Sequence, residues 1–485
     1  MSVGIDSLLK SRKDNLEFIR DQEIDPYPSS FRPTHFSANL KQEFDSKIGP
    51  GVHTNEAVVI AGRVMAKRSF GKLNFVLLQD KVGRIQVVVS ESEGGIELIN
   101  HVDVGDFLGI DGTIMKTKRG ELSVLAKKIT FLSKALNPFP EKWHGLTNIE
   151  TRYRKRALDL IMNPEIKDVF VKRAKIISLI REFLGNQEFL EVETPLLQPT
   201  YGGANARPFV TQSHAWNSDY YLSISPELYL KRLIIGGFDR VFTICKNFRN
   251  EDTDRTHNPE FTMMECYASY WDYNDVMTFM ENLLAFVLMQ LQGTTKVIYE
   301  GKELDFKVPW TRITMYQSLK DAGIDVENLS DEQMKKLLSE NNLDVNPFKR
   351  GLAIAELFGH FCEPNLIQPT FVIDHPKETT PLCKAKRENP ALIERFEGFV
   401  NGWELSNAYS ELNDAEMQAF LFKEQSDQGR SKDETHPPDD DFVDSMGYGM
   451  PPTGGLGIGV DRFVMLLTNS PSIRDVILFP QMRKG

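Results

Sequence analysis

Apolar positions change their spacing twice along this chain. Between Ser7 and Gln22 they fall at Leu8, Leu9, Leu16 and Ile19, which predicts an amphipathic helix ended by Pro26 and Pro28. A second short helix is expected over Ser37–Asp45, stopping at Gly49-Pro50-Gly51. From Glu56 to Thr130 the pattern shortens to five strand-like runs, Ala57–Met65, Asn74–Gln79, Arg84–Val89, Phe107–Met115 and Glu121–Ile129. The first run is apolar on both alternating sets, so it is not a one-sided strand. Gly71-Lys72 and Lys81-Val82-Gly83 fit short hairpins, and a short helix, Gly95–His101, falls between the third and fourth runs. Five strands with a helix in that place follow the order of an OB-fold, a small barrel that often binds single-stranded nucleic acid.

Asn137-Pro138-Phe139-Pro140 marks a linker. Beyond it Asn163 is read as a cap and Pro164 as the opening of a long helix. Its stripe is Ile166, Val169, Phe170, Ile176, Ile177, Ile180, Phe183 and Leu184. The helix runs into a strand over Phe189–Thr194 and then Pro195. Further helices are expected over Tyr273–Leu291 and Ser330–Glu340, the latter opening with the capping box Ser330…Gln333. The remainder alternates irregularly, which predicts an α+β architecture built on a mostly antiparallel sheet flanked by helices. The expected organisation is a helical segment over 1–51, an OB-fold barrel over 52–136, a linker over 137–163 and a larger domain over 164–485.

Length and composition fit this picture. A chain of 485 residues is too long for one ordinary core. An apolar share of 41% and a charged share of 26% are those of a soluble globular protein. No apolar run approaches a membrane span and the N-terminus carries no signal pattern, so no membrane association and a cytoplasmic location are expected. The four cysteines (Cys245, Cys266, Cys362, Cys383) lack C-x-x-C spacing and read as buried thiols. A net charge of −11 argues against a sequence-independent nucleic-acid binder, but not against a local nucleic-acid site.

Two segments carry the chemistry. In Lys246–Tyr267 a strand leads into a polar loop holding Arg249, Glu251, Arg255, His257 and Asn258, and a second apolar strand leads out past Phe261. Arg249 offers a planar fork for a phosphate or carboxylate, and Phe261 an aromatic face for a base. An Arg–Glu pair taken alone is more often a salt-bridged hairpin tip, worth roughly 0–1 kcal/mol. In Gly455–Leu467 a glycine-rich strand feeds an apolar helix that begins with Arg462. Val460 stands where a dinucleotide fingerprint needs its third glycine, and no βαβ unit surrounds it, so the Rossmann reading fails. Close strand–helix packing explains those glycines equally well, but does not ask for Arg462.

Together the two segments resemble motifs 2 and 3 of the class II aminoacyl-tRNA synthetases (about 240–267 and 455–467). The helix, strand and Pro195 (about 178–199) resemble motif 1, the dimer-forming element. The OB-like domain implies the subclass that charges lysine, aspartate or asparagine, which carries such an anticodon-binding domain.

Glu397–Asp414 resembles the corresponding segment of the lysine-charging members, except that Ala408-Tyr409 replaces a Gly-Phe pair common among bacterial ones. The resemblance implies that Glu397 and Glu404 hold Mg²⁺ against the ATP phosphates. It also implies that Asn407, Tyr409 and Glu411 line an amino-acid pocket, joined by Gly203, Glu227 and Tyr267. A pocket for lysine must neutralise two ammonium groups, and Glu411, Glu227 and Glu265 supply carboxylates for that. An aspartate pocket needs a cation where Glu411 sits, and like charges there cost several kcal/mol. In the first domain Arg68, Phe75, Gln86 and Glu121 match anticodon-holding positions, although alternation alone allows Phe75 to be a core residue.

The implied reaction is adenylation of L-lysine by ATP, then transfer to lysine tRNA, in a homodimer formed through the catalytic domain. Arg249, Glu251 and Arg462 are the expected catalytic groups, and ATP is expected to meet these three together with His257, Asn258, Phe261 and Glu404. Catalysis is expected to rest on positioning and electrostatics, with no dedicated base. Competing readings are an aspartyl or asparaginyl enzyme, a paralogue that lysylates a protein, and a non-catalytic RNA-binding relative.

Overall fold

The computed structural model describes residues 2–93, 96–140, 146–427 and 439–483. Gly95, where the short helix was expected to begin, and 141–145 of the expected linker lie outside them. The chain forms two compact units, Met1–Gly145 and Leu146–Gly485.

In the first unit β1 (His53–Phe70), β2 (Leu73–Gln79), β3 (Arg84–Ser90), β4 (Phe107–Lys116) and β5 (Leu122–Ser133) close a barrel in the order β1-β2-β3-β5-β4. Strict alternation builds its wall. Along β2, Asn74, Val76 and Leu78 are buried while Phe75, Leu77 and Gln79 are only partly covered. β1 resists a one-sided reading because its register shifts between Val64 and Ala66, and one extra residue swaps the faces. The first 51 residues are not a segment apart. Ile19 of the helix Ser2–Asp21 and Leu40 of the helix Ser37–Phe44 are fully buried in the same core as Ile60, Val76 and Ile110. Arg12 ties the first helix down, donating to the Ala135 and Val104 carbonyls at 2.7 and 2.8 Å.

In the second unit the stretch expected to be linker contains two helices, Ile149–Arg154 and Arg156–Met162. Polar contacts with residues more than 300 positions away hold them. Tyr153 donates to Asp475 at 2.8 Å and Arg156 to the Leu478 carbonyl at 2.8 Å, so no apolar period announces them. The long helix starts at Ile166, not at Pro164, and Asn163 does not cap it. Its amide donates backwards to Asp159 and to the Leu146 carbonyl at 2.8 and 3.2 Å. The strand expected over 189–194 shrinks to β6 (Leu190–Glu191). The helix Asp331–Glu340 does open with the Ser330/Gln333 capping box.

β7 (Leu197–Gln198), β8 (Val210–Ser213) and β9 (Ser218–Leu222) form a small sheet, and β12 (Lys296–Tyr299) and β13 (Lys302–Asp305) a hairpin. The main sheet uses β10 (Arg240–Phe248), β11 (Glu260–Ser269), β14 (Thr311–Thr314), β15 (Thr370–Pro376), β16 (Leu392–Val400), β17 (Trp403–Ser410) and β18 (Thr453–Gly459), with β6 at one edge. Its order is β14-β15-β16-β17-β18-β11-β10-β6, parallel only at its two ends. One face, with Phe396, Ala408, Leu456, Ile458 and Met264, packs on the helices Ile166–Asn186 and Tyr273–Gln292 and forms the core. The other face is polar and carries the site.

Candidate active site

Register explains which side chains meet on the polar face. Tyr267 and Tyr409 both pair with Gly455, and Glu265 and Asn407 both pair with Gly457. Arg395 and Glu397 continue the two rows on β16, opposite Tyr409 and Asn407. Each row thus has a glycine at its centre with polar and aromatic residues on either side. A side chain at Gly455 would put its Cβ 2.0 Å from Glu411 Oε1 and 2.5 Å from the Tyr267 ring. Gly455 therefore keeps open this part of a cavity of about 360 Å³.

Glu404 needs a separate explanation. It lies three residues before Asn407, an odd spacing that strict alternation sends to the opposite face. The pairing of β16 with β17 shifts between Gly398 and Phe399, from Ser406 to Glu404, and this bulge returns Glu404 to the face of Glu397. The Asn401-Gly402 turn, both residues at positive φ, closes the hairpin.

Every residue assigned a role in binding or catalysis from the sequence in this unit lines this one cavity, whereas Arg255 of the loop does not and donates to Glu300 at 2.9 Å. At its mouth the loop between β10 and β11 is organised by Asp254. That carboxylate accepts from the amides of Thr256 and His257 at 2.6 and 2.7 Å and meets His257 Nδ1 at 2.8 Å. Against the cost of burial, these bonds hold its carboxyl down at about 2. Arg462 Nη2 lies 2.8 Å from His257 Nε2, and a guanidinium only donates, so Nε2 accepts and the proton sits on Nδ1. Arg462 also donates to the Glu404 carbonyl. Arg249 stacks over Phe261 with its guanidinium carbon 5.2 Å from the ring centroid. Burial lowers its pKa while Glu251, Glu404 and Glu265 pull the other way, and a guanidinium so placed stays charged.

Deep in the cavity the charge is acidic and buried. Glu227, Glu265 and Glu411 are all buried. Glu265 accepts from Ser225 Oγ at 2.9 Å and from the Tyr267 hydroxyl at 3.1 Å. Burial and then the Glu227 charge push its carboxyl up to about 8. Glu411 is pushed up to about 8 by burial, against the pull of Lys231. Its Oε1 has no hydrogen-bond partner. On the flank Arg395 pairs with Glu397 and donates to Asn407 Oδ1 at 3.1 Å. The Glu404 carboxyl is raised by burial and by Glu397 beside it.

Some functional neighbours escaped the sequence reading. Arg395 is two residues before Glu397 on a strand, and that spacing was the available signal. Lys231 follows Glu227 by four on a helix, an ordinary ion-pair spacing. Glu363, pushed up to about 7 by burial and by the Glu404 and Glu397 charges, had no local signal. Neither did the pair of Arg173 with Asp461 at 2.6 Å, which ties the helix Ile166–Asn186 to the helix after β18.

On the barrel, Arg68 pairs with Phe75, Leu77 with Gln86, and Gln86 with Ser123, so these side chains share one outer face. Glu121, two residues before Ser123, is exposed at the rim. Phe75 is half-buried outside the core and meets the exposed Phe70 edge-on at 6.0 Å. The core reading of Phe75 is thereby corrected.

An antiparallel sheet with this hairpin, glycine strand and arginine pair defines a class of protein, and comparison with known families agrees. Residues 148–483 match the family model described as tRNA synthetases class II (D, K and N), and residues 58–132 match that of the OB-fold nucleic acid binding domain. The chain belongs to the class II tRNA synthetase family. Among its relatives is the lysine--tRNA ligase of Clostridium novyi (strain NT), 48% identical over 98% of this chain and 94% of that protein. The lysine--tRNA ligases of Pelotomaculum thermopropionicum and Moorella thermoacetica are 47% and 46% identical, over 99% and 98% of this chain and 95% and 98% of theirs.

Proposed function

We propose that this protein is a lysine--tRNA ligase, which adenylates L-lysine with ATP and transfers the lysyl group to lysine tRNA. One observation carries the choice of amino acid. The Glu411 carboxylate is 1% exposed, faces the cavity and leaves Oε1 unpartnered. Burial makes its ionised form costly and pushes the carboxyl up to about 8, and a cation is what stabilises that form. The side-chain ammonium of lysine is that cation, with the ring of Tyr409 beside it and Asn407 fixing the ring by a 3.2 Å bond to its hydroxyl. Glu227 and Glu265, with the close backbone of Gly203, receive the α-ammonium end, and Tyr267, whose ring meets Glu411 around Gly455, reaches toward the side chain. An aspartate side chain meets three carboxylates here and is repelled.

Arg249 bridges the amino-acid carboxylate and the α-phosphate, stabilising the charge that gathers on the phosphorus during in-line attack. Adenine is stacked between Phe261 and Arg462, and Asn258 and Glu251 hold the nucleotide at the loop. His257, with its proton fixed on Nδ1, keeps Arg462 in place. The tRNA 3′-terminal hydroxyl then attacks the lysyl carbonyl, and AMP leaves.

Glu397 and Glu404 suit Mg²⁺. The charge of Glu397 raises the proton affinity of Glu404 beside it, and a divalent ion removes that repulsion. Glu397 and Glu404 would hold the ion, with the ATP phosphates as its other oxygen ligands. When bound, the ion neutralises charge on the departing pyrophosphate.

The outer barrel face with Arg68, Phe75, Gln86 and Glu121 suits the anticodon, Phe75 offering a stacking surface. A homodimer through the catalytic unit is supported by the exposed apolar side chains Val171, Leu190, Leu196 and Leu197 on and after the long helix. Among the described residues no helix is long and apolar enough to cross a membrane, and the reaction belongs in the cytoplasm with tRNA.

Charging of total tRNA with each labelled amino acid tests the reading. Lysine alone is expected to be attached, and preferential attachment of aspartate or asparagine overturns it.

A further inference from the structure

Lys231 is 0% exposed, yet it is an ammonium. It projects from the helix Glu227–Ile235 between two carboxylates, 2.6 Å from Glu227 Oε1 and in direct contact with Glu411 Oε2. It does not line the cavity, whereas both of its partners do. It therefore touches the acidic pocket from outside.

Counting charges gives this contact a meaning. Three buried carboxylates, Glu227, Glu265 and Glu411, face two fixed cations, Lys231 and Arg249, and Arg395 cancels Glu397. When the three carboxylates are all ionised, this deep end of the cavity carries one negative charge in excess. An amino acid with an ammonium side chain carries one net positive charge, so it neutralises the site. Without Lys231 the excess doubles, so the buried carboxylates hold their protons more tightly and a cationic ligand must displace them at a higher cost.

We propose that Lys231 is a positioning residue for amino-acid specificity: its ammonium occupies Glu411 Oε2 and Glu227 Oε1, leaving one free carboxylate oxygen and one unit of charge for the side-chain ammonium of the substrate. This inference rests on the lysine reading above. The groups facing the pair come from every side. They are Glu265 and Tyr267 on β11, Tyr409 on β17, Arg395 on β16, Arg249 in the loop and Cys383 bridged to Glu411. Lys231 itself is held charged, because its two carboxylates outweigh the cost of its burial.

The test uses lysine-dependent exchange of pyrophosphate into ATP by the full-length protein and its Lys231→Met and Lys231→Arg variants. Lysine dependence of the unaltered protein is measured first, and its absence defeats the lysine reading itself. For Lys231→Met, a carboxyl pushed up by one further unit predicts about a tenfold rise in the lysine KM at pH 7, with the ATP KM nearly unchanged. Raising the pH to 9 should remove most of that rise, because the surplus proton leaves. A merely structural salt bridge predicts lowered stability, with no lysine-specific, pH-reversible change in KM. An unchanged lysine KM, or lysine and ATP KM values rising together at all pH values, overturns the inference. Should Lys231→Met fail to fold, Lys231→Arg decides. Because it keeps the charge, its lysine KM should follow the pH profile of the unaltered protein, and a displaced profile overturns the inference.

Discussion

The barrel and the main sheet both present polar side chains on one face of an antiparallel sheet, but they do so in opposite environments. On the barrel, Arg68 and Glu121 are exposed and Phe75 and Gln86 are half-covered. Gln86 is satisfied by a 2.9 Å bond to Ser123 Oγ. In the main sheet Glu265, Tyr267 and Glu411 are buried, and one carboxylate oxygen is left without a partner. A wet face recognises by stacking and shape, through contacts that each contribute modestly. A dry face recognises by unpaired charge, where one missing partner costs several kcal/mol. The contrast implies that discrimination between amino acids is concentrated in very few residues, while recognition of nucleic acid is spread over many.

The comparison breaks most visibly at Arg249. Replacing it by Ala removes the charge proposed to meet both the carboxylate and the α-phosphate, and lysine-dependent exchange should fall by about a thousandfold or more. Exchange near the unaltered rate removes Arg249 from the mechanism. Next comes Glu411→Gln, which keeps shape and deletes the buried charge. Losing a buried charge pair costs about 2–5 kcal/mol, so a rise in lysine KM of about a hundredfold is expected, with the ATP KM little changed. A rise of only twofold would mean that the dry end of the site does not select by charge.

A third effect follows from Glu265 and Glu411, whose carboxyls are both pushed up to about 8. Below that pH the empty pocket holds a proton that lysine must expel. Lysine affinity should therefore rise with pH between 6 and 8, by up to about tenfold per unit for one linked proton. A flat profile counts against a protonated empty pocket. The same groups set the sign for stability. Their folded pKa values lie above the ordinary carboxylate value, so their contribution is present at low pH and is lost as pH rises through 8. The melting temperature of the lysine-free protein should fall over that window, and saturating lysine should reduce the fall.

The smallest effect belongs to the barrel. Phe75→Ala removes one stacking face, worth about 1–3 kcal/mol, and should raise the KM for tRNA about tenfold while leaving pyrophosphate exchange untouched. An equal loss of exchange would show that Phe75 supports the fold instead.

Much of this was legible in the chain, for a reason that differs between elements. The barrel strands and the helix Tyr273–Gln292 were readable because alternation and helical spacing are local. The two helices over 149–162 were not, because polar bonds to Asp475 and the Leu478 carbonyl hold them. Asn163 misled because a residue preceding a proline and a helix has the form of a cap, while its amide is used by Asp159. In the site, the residue types of the two motifs were readable, but Glu404 reaches its face only through a bulge in β17. Lys231 went unread, because four residues after Glu227 is an ordinary ion-pair spacing and nothing local states that its helix turns that flank inward.

The sequence by itself determined the barrel strands and the long apolar helices, the chemistry of the loop after Arg249 and the acidic character of the proposed amino-acid pocket. Those depend on residue type and on spacings of two to four positions. Only the tertiary structure decided the pocket's charge balance, its open space over Gly455 and the one unpartnered oxygen of Glu411. Each of these arises where strands far apart in the chain come into register, and burial there turns an ordinary carboxylate into a selective one.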